Sequence, residues 1–155
     1  MSARSGVDRT AGRTAGSGAP PGRLDDPAAS RVRELLARSD DELVAADLAG
    51  TAEERFVHGH LAALRAGAAV VAALGRPGRR RGPRPVWELV AAVAPELAGW
   101  TARFAAAAPL RAAVETGRAT VDDARADHAV AEASGFADAV RSLLDVGAQA
   151  GLRAS

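Results

Sequence analysis

The chain predicts an all-α fold, an up-down bundle of four to five helices. Three observations point there. Alanine, the strongest helix former, supplies 40 of the 155 residues. The β-branched and aromatic residues that strands favour are scarce. Apolar residues also recur at intervals of three and four over long windows, the period of a helix buried on one face. At this length a single domain is expected.

Residues 1–25 are Arg, Gly, Ser, Ala, Thr and Pro with almost no large apolar side chain. Such a segment cannot bury enough surface to offset its chain entropy and reads as a disordered tail. The bundle is expected over 26–147. Its first helix should run from Pro27, a residue suited to a first turn, to Leu48. Val32, Leu36, Leu43 and Ala46 form its stripe, and a capping-box pattern at Ser39–Glu42 allows a division into two pieces. Gly50 then ends that helix, and Thr51-Ala-Glu-Glu54 is a capping box that opens a second, ended by Gly75 after Leu74. This second helix is apolar almost all round and rich in Ala and Gly, so it should be central, with neighbours packed closely on it.

Residues 76–84 carry Gly and Pro breakers and read as a loop. From Pro85 a third stripe follows: Val86, Val90, Val93, Leu97, Trp100 and Phe104, spaced 4, 3, 4, 3, 4. Pro95 within it predicts a kink or restart, and Pro109 and Gly117 should bracket a short helix. Thr120–Asp123 resembles another N-cap. The last helix follows, with Ala129, Ala133, Phe136, Val140 and Leu143 as its stripe and an end near Val146. Residues 148–155 should fray.

Composition excludes several functions. All 20 basic residues are arginine, and Lys, Cys, Ile, Asn and Tyr are absent. Lysine-dependent phosphate loops and Schiff bases are ruled out, as are thiol catalysis, disulfides and thiolate zinc sites. No metal-ligand spacing is present, and no cofactor is expected. The net charge of +1 gives no global attraction to nucleic acid or membrane. No secretory leader is visible, and the uncharged run Ala66–Gly75 is about half of the ~20 residues a span requires, so a cytoplasmic chain without a membrane partner is expected.

The candidate site residues are few. Arg79, Arg80, Arg81 and Arg84 lie in the segment 76–84, which holds five arginines and no acid. It reads either as a solvated loop that favours the dipole of the preceding helix or as a contact for the phosphates of RNA or DNA. His60 sits in the apolar stripe of the second helix. Its default role is a core or interface histidine hydrogen-bonded to a neighbouring helix; the functional alternative is a general acid or base working with Arg55. His58, four residues after Glu54, suggests a surface ion pair, and His128, between Arg125 and Glu132, a residue at the border of the last stripe. His58 and His60 point to opposite sides of their helix and cannot share a metal. Trp87 and Trp100 are core anchors by default; Trp100 fits the third stripe directly, and for Trp87, one position off it, a cap on the bundle or an interface is the alternative.

Two segments carry a family resemblance. Glu54-Arg-Phe-Val-His-Gly-His60-Leu-Ala-Ala-Leu-Arg65 with its Ala- and Val-rich continuation is one. Val86-Trp-Glu-Leu89 with Val93-Ala-Pro-Glu-Leu-Ala-Gly-Trp100, after the basic loop, is the other. Together they resemble an actinobacterial HEPN subfamily of unassigned role, over about residues 28–146. The resemblance implies a four- or five-helix bundle, commonly a homodimer. It further implies either a metal-independent endoribonuclease, often a toxin, or a non-catalytic module that binds nucleic acid, nucleotides or a protein partner. The ribonuclease members carry Arg-x(4–6)-His near the start of a late helix. Here Arg125 and His128 are only three apart, and the one formal match, Arg55 to His60, lies on the second helix, about 140° apart around its axis. The expectation is therefore a non-catalytic module that meets RNA, DNA or a protein through the basic loop. The alternatives are an endoribonuclease using Arg55 and His60, and a purely structural or regulatory interaction bundle.

Overall fold

A computed structural model describes residues 26–75 and 84–154. The expected tail and the arginines at 76, 79, 80 and 81 lie outside the described residues. Among the described residues, five α-helices and one 3-10 turn make an all-α bundle: α1 Pro27–Leu48, α2 Ala52–Leu74, α3 Val86–Val93, the turn Pro95–Leu97, α4 Ala98–Glu115 and α5 Asp123–Arg153.

The caps explain most of the boundaries. Asp26 accepts from the Ala28 N–H ahead of Pro27, Thr51 from Glu54 N–H, and Asp122 from Arg125 N–H, each satisfying a donor that the first turn leaves free. Glu54 also folds back over the start of α2, accepting from Gly50 N–H, one residue before the cap, at 3.1 Å. Gly75 ends α2 with φ 80, a conformation few other residues adopt readily.

Cross-helix contacts fix the topology. Glu42 meets His58 and Ser39 meets Ala62, so α1 and α2 are antiparallel. Arg55 reaches Asp123 and Asp127, and Glu53 accepts from Val121 N–H, so α2 and α5 run parallel. Trp100 lies on Gly135 and Arg103 on Glu132, which makes α4 antiparallel to α5. The order is up, down, up, down, with α3 and α4 sharing the third position. Helix α2 is contacted by all four other helices. Among the described residues it is the one helix long and apolar enough to cross a membrane, and here it is the core of a bundle.

The core joins Ala62, Ala63, Ala66 and Val70 of α2 to Trp87, Val90, Phe104, Phe136 and Val140. Trp87 stacks on Phe104 with centroids 4.9 Å apart, and the edge of its ring lies against Gly67. The expected core role falls more fully to Trp87 than to Trp100, although Trp100 is the one on the stripe. Trp87 is buried, whereas Trp100 is half-buried at the edge, with the Arg103 guanidinium 4.8 Å from its ring centroid.

Three other expectations are revised and one is met. Helix α1 does not divide at Ser39–Glu42, because buried Ser39 donates across to the Ala62 carbonyl at 2.8 Å instead of capping a second piece. The restart expected at Pro95 is made through a 3-10 turn. Pro109 lies inside α4 without ending it. Residue 105, whose carbonyl would have paired with the missing N–H, is exposed, so water can replace the lost bond. Helix α5 passes Val146 and Gly147 and continues to Arg153, on a surface where good helix formers meet nothing that would interrupt the ladder.

The tightest approach is at Gly59. A Cβ there would stand 3.2 Å from Val130 N and 3.3 Å from the Ala129 carbonyl carbon, both backbone atoms of a helix that cannot yield locally. Gly59→Ala is expected to destabilise the fold by roughly 1–3 kcal/mol despite alanine's better helix propensity. Gly147→Ala, where a Cβ meets nothing within 4 Å, should leave stability unchanged or raise it by up to about 1 kcal/mol. Urea midpoints of the two variants in the reverse order would refute this account of the packing.

Candidate functional site

A cleft of about 360 Å³ opens between α2, α4 and α5. Helix α2 contributes Phe56 and His60, and α4 contributes Arg103, Ala106 and Ala107. Helix α5 contributes Arg125, His128, Ala129 and Glu132. The α5 residues fall on one face because their spacings of 3, 1 and 3 follow the helical repeat. Those from α2 are placed by the same close contact that Gly59 permits, one residue before His60.

His60 is 5% exposed. Its ring lies 4.7 Å from the Phe56 centroid and 6.0 Å, edge-on, from that of Phe104. The expected hydrogen bond to a neighbouring helix is not made among the described residues; the ring borders the cleft, and the buried side-chain atom left without a partner among those residues is Arg65 Nε, not a nitrogen of His60. Burial pushes its pKa down to about 4, helped by the positive charges of Arg111 and Arg125 and opposed by Glu132 and Glu115. The imidazole is therefore neutral at physiological pH.

The rim is charged. Arg103 Nε donates to Glu132 Oε1 at 2.7 Å, and His128 Nε2 is 3.6 Å from the same oxygen. The Arg125 side chain has no ion-pair or hydrogen-bond partner among the described residues; its one bond of this kind beyond the helix ladder is from its backbone N–H to Asp122.

The residues expected at a site are dispersed. Arg55 is held by Asp123 and by Asp127, the latter at 3.1 Å, and the hydrogen bond to Asp123 is the main reason its pKa is raised. It is not among the residues lining the cleft that His60 borders. His58 pairs with Glu42 of α1 at 2.7 Å, not with Glu54, which is occupied at the α2 cap. Arg84 approaches Glu88 at 3.4 Å, and with Arg31 it lines a depression beside Gly75. Arg79, Arg80 and Arg81 lie outside the described residues. Arg103 had no distinguishing sequence signal. Arg125, His128 and Glu132, spaced 3 and 4, did carry one, as a polar stripe beside the apolar one.

The up-down helical architecture, with a long α2 at its centre, defines an all-α HEPN-like bundle. The chain belongs to the SAV_6107-like HEPN family, whose model matches residues 46–141. That match takes in the whole cleft and the basic segment. No curated protein and no solved structure matches the chain significantly.

His60 also sets a pH response. Its pKa is 6.5 when unfolded and about 4 when folded, so the unfolded chain binds the proton more readily. The neutral imidazole's share of stability is present above pH 6.5 and is lost as pH falls from there toward 4. The loss is on the order of 3 kcal/mol at full protonation. His60→Phe should flatten the fall of Tm between pH 6.5 and 4 relative to the unaltered chain. Parallel Tm profiles for the two proteins would contradict it.

Proposed function

We propose that this chain is a non-catalytic HEPN module that binds RNA or DNA, with the segment 76–84 as its principal contact. The observation that carries the reading is the concentration of charge. Five of the chain's 20 arginines fall within nine residues that contain no acid, in a chain whose net charge is only +1. The segment leaves α2 at Gly75 and returns at Arg84, and both border one depression with Arg31, which adds one further cation beside its anchor points. Phosphate backbones are bound through such clusters by release of counterions.

The non-catalytic part of the reading is supported by Arg55. Its guanidinium is engaged by two carboxylates of α5, and it is not one of the groups around His60. A ribonuclease built on that pair would have to break both ion pairs before Arg55 could meet a phosphate. The reading also includes a homodimer, supported by large apolar side chains left at the surface: Val44, Leu48, Leu74, Val146 and Leu152 are each at least half exposed.

Replacing Arg79, Arg80, Arg81 and Arg84 together with alanine should weaken binding to a short RNA or DNA at least tenfold at low salt. It should also reduce the log–log salt slope by about 3, at roughly 0.7–0.9 per phosphate contact. Fluorescence anisotropy across a salt series measures both. Absence of binding at low salt, an unchanged slope, or a stoichiometric protein partner recovered without nucleic acid would each reject the reading. RNA cleavage that survives EDTA and disappears in His60→Ala would replace it with the endoribonuclease.

A further inference from the structure

Trp87 is 7% exposed. Its indole stacks on Phe104, and the outer edge of its six-membered ring, Cζ3 and Cη2, is seated on Gly67 of α2. The five-membered ring, which carries Nε1, is therefore the end turned away from α2. A buried indole N–H usually finds a hydrogen-bond partner. That of Trp87 makes no hydrogen bond among the described residues. It is not sealed in either, because the one buried side-chain nitrogen or oxygen left without a partner among those residues is Arg65 Nε. The indole N–H thus reaches open space, and the open space that Trp87 lines is a groove between α3 and α4.

The groove has a volume of about 560 Å³, within the range of small-molecule pockets. Its walls are mainly alanines of the two helices, among them Ala91, Ala102 and Ala105. Pro109, which also lines it, supplies a second unmet group. A proline has no N–H, so the Ala105 carbonyl one turn earlier lacks its usual donor, and the pyrrolidine ring crowds that carbonyl out of line. Phe104, on which Trp87 stacks, is the residue before Ala105, so the free donor and the free acceptor belong to one stretch of the groove. The other polar side chains there are occupied. Thr101 donates to the Ala98 carbonyl at 3.1 Å, and Glu88, the one charged residue of the lining, is paired with Arg84. None of these residues lines the cleft over His60.

We propose that this groove binds a small, uncharged, planar aromatic compound that carries one hydrogen-bond acceptor and one donor, an aromatic lactam being the simplest example. The acceptor meets the Trp87 indole N–H, and the donor meets the Ala105 carbonyl. Walls that end at Cβ leave flat surfaces suited to a flat ring. A charged ligand would lose its hydration there and find no unpaired countercharge. Both polar groups are held in place before the ligand arrives, the indole by Gly67 and Phe104 and the carbonyl by α4, so binding costs little ordering of the protein.

The test uses the full chain and two probes, 2-quinolone and its N-methyl derivative, which keeps the acceptor and loses the donor. Binding is followed by NMR through the indole N–H resonances of the two tryptophans, assigned with Trp100→Phe. The Trp87 resonance should move on titration with 2-quinolone, with a dissociation constant of about 1 mM or lower, and the Trp100 resonance should stay. The N-methyl derivative should bind about fivefold more weakly. Quinoline-2-carboxylate, flat but charged, should bind at least about tenfold more weakly than 2-quinolone. Ala102→Leu, at an exposed position that tolerates a good helix former, should fill the groove and weaken 2-quinolone at least about tenfold. Pro109→Ala gives residue 109 an N–H for the Ala105 carbonyl to accept, so it should abolish the preference for 2-quinolone over its N-methyl derivative. A steric origin of that preference would survive the same change. The proposal is overturned by a Trp87 resonance that stays unchanged up to about 10 mM 2-quinolone. It is equally overturned by an Ala102→Leu chain, folded by circular dichroism, that binds as before, or by a preference that persists in Pro109→Ala.

Discussion

Everything else in this bundle depends on how closely α5 can lie on α2. The two helices meet where Gly59 faces the backbone of Ala129 and Val130, with room for a hydrogen but not comfortably for a methyl. Helix α2 then offers Ala62, Ala63, Ala66 and Ala69 as further small buried residues. Small side chains bury little apolar area each, so the core's large apolar contributions come from elsewhere: Phe56, Trp87, Phe104 and Phe136, drawn from four helices. The chain has three Phe and two Trp in all. Four of those five aromatic side chains sit in the core, and the fifth, Trp100, covers Gly135 at its edge.

The same closeness forms the cleft. Helices whose backbones nearly touch at one level must be separated by something at the next, because α5 also has to pass α4. Alanine at 106 and 107 does not fill the gap between α4 and the α2–α5 pair, and the space remains open over His60. Filling it with longer apolar side chains would bury His60 fully, without a partner, at the cost that an unmade buried hydrogen bond carries, about 1–3 kcal/mol. The small residues thus do two things at different levels of the bundle. On α2 they admit neighbouring helices, and on α4 they leave the cleft open.

Much of this was legible in the sequence, because local signals governed it. The boundaries of α1 and α2 follow from Pro27, Gly50, the Thr51–Glu54 box and Gly75, and the helical stripes identified Val90, Phe104, Phe136 and Val140 as core. What failed were inferences that needed a partner helix. Ser39 resembled a cap until Ala62 was there to receive its hydroxyl, and Pro109 resembled a terminator although an exposed carbonyl in the preceding turn makes it tolerable. His58 was matched to its neighbour in sequence, Glu54, rather than to Glu42 across the interface. The cleft was unreadable for the same reason. Arg103 and His60 come together with Arg125 only through the α4 and α5 crossings, which spacing along one helix does not encode.

The charges on α5 show how a chain of net charge +1 can still present a positive site. Asp123 and Asp127 are four residues apart and share a face; Arg125, His128 and Glu132 fall on another, with Arg125 about 200° around the helix from Asp123. The helix thereby sorts its acids and bases. The acidic face is neutralised by Arg55 of α2, and that contact also holds the start of α5 against its neighbour. On the other face Arg125 has no side-chain partner among the described residues and lies beside a carboxylate that Arg103 has already matched. Had Asp123 and Arg125 shared a face, they would have neutralised each other, and the cleft would carry no excess charge. Helical periodicity therefore separates a structural ion-pair network from the charged rim of the cleft within the same two turns of one helix.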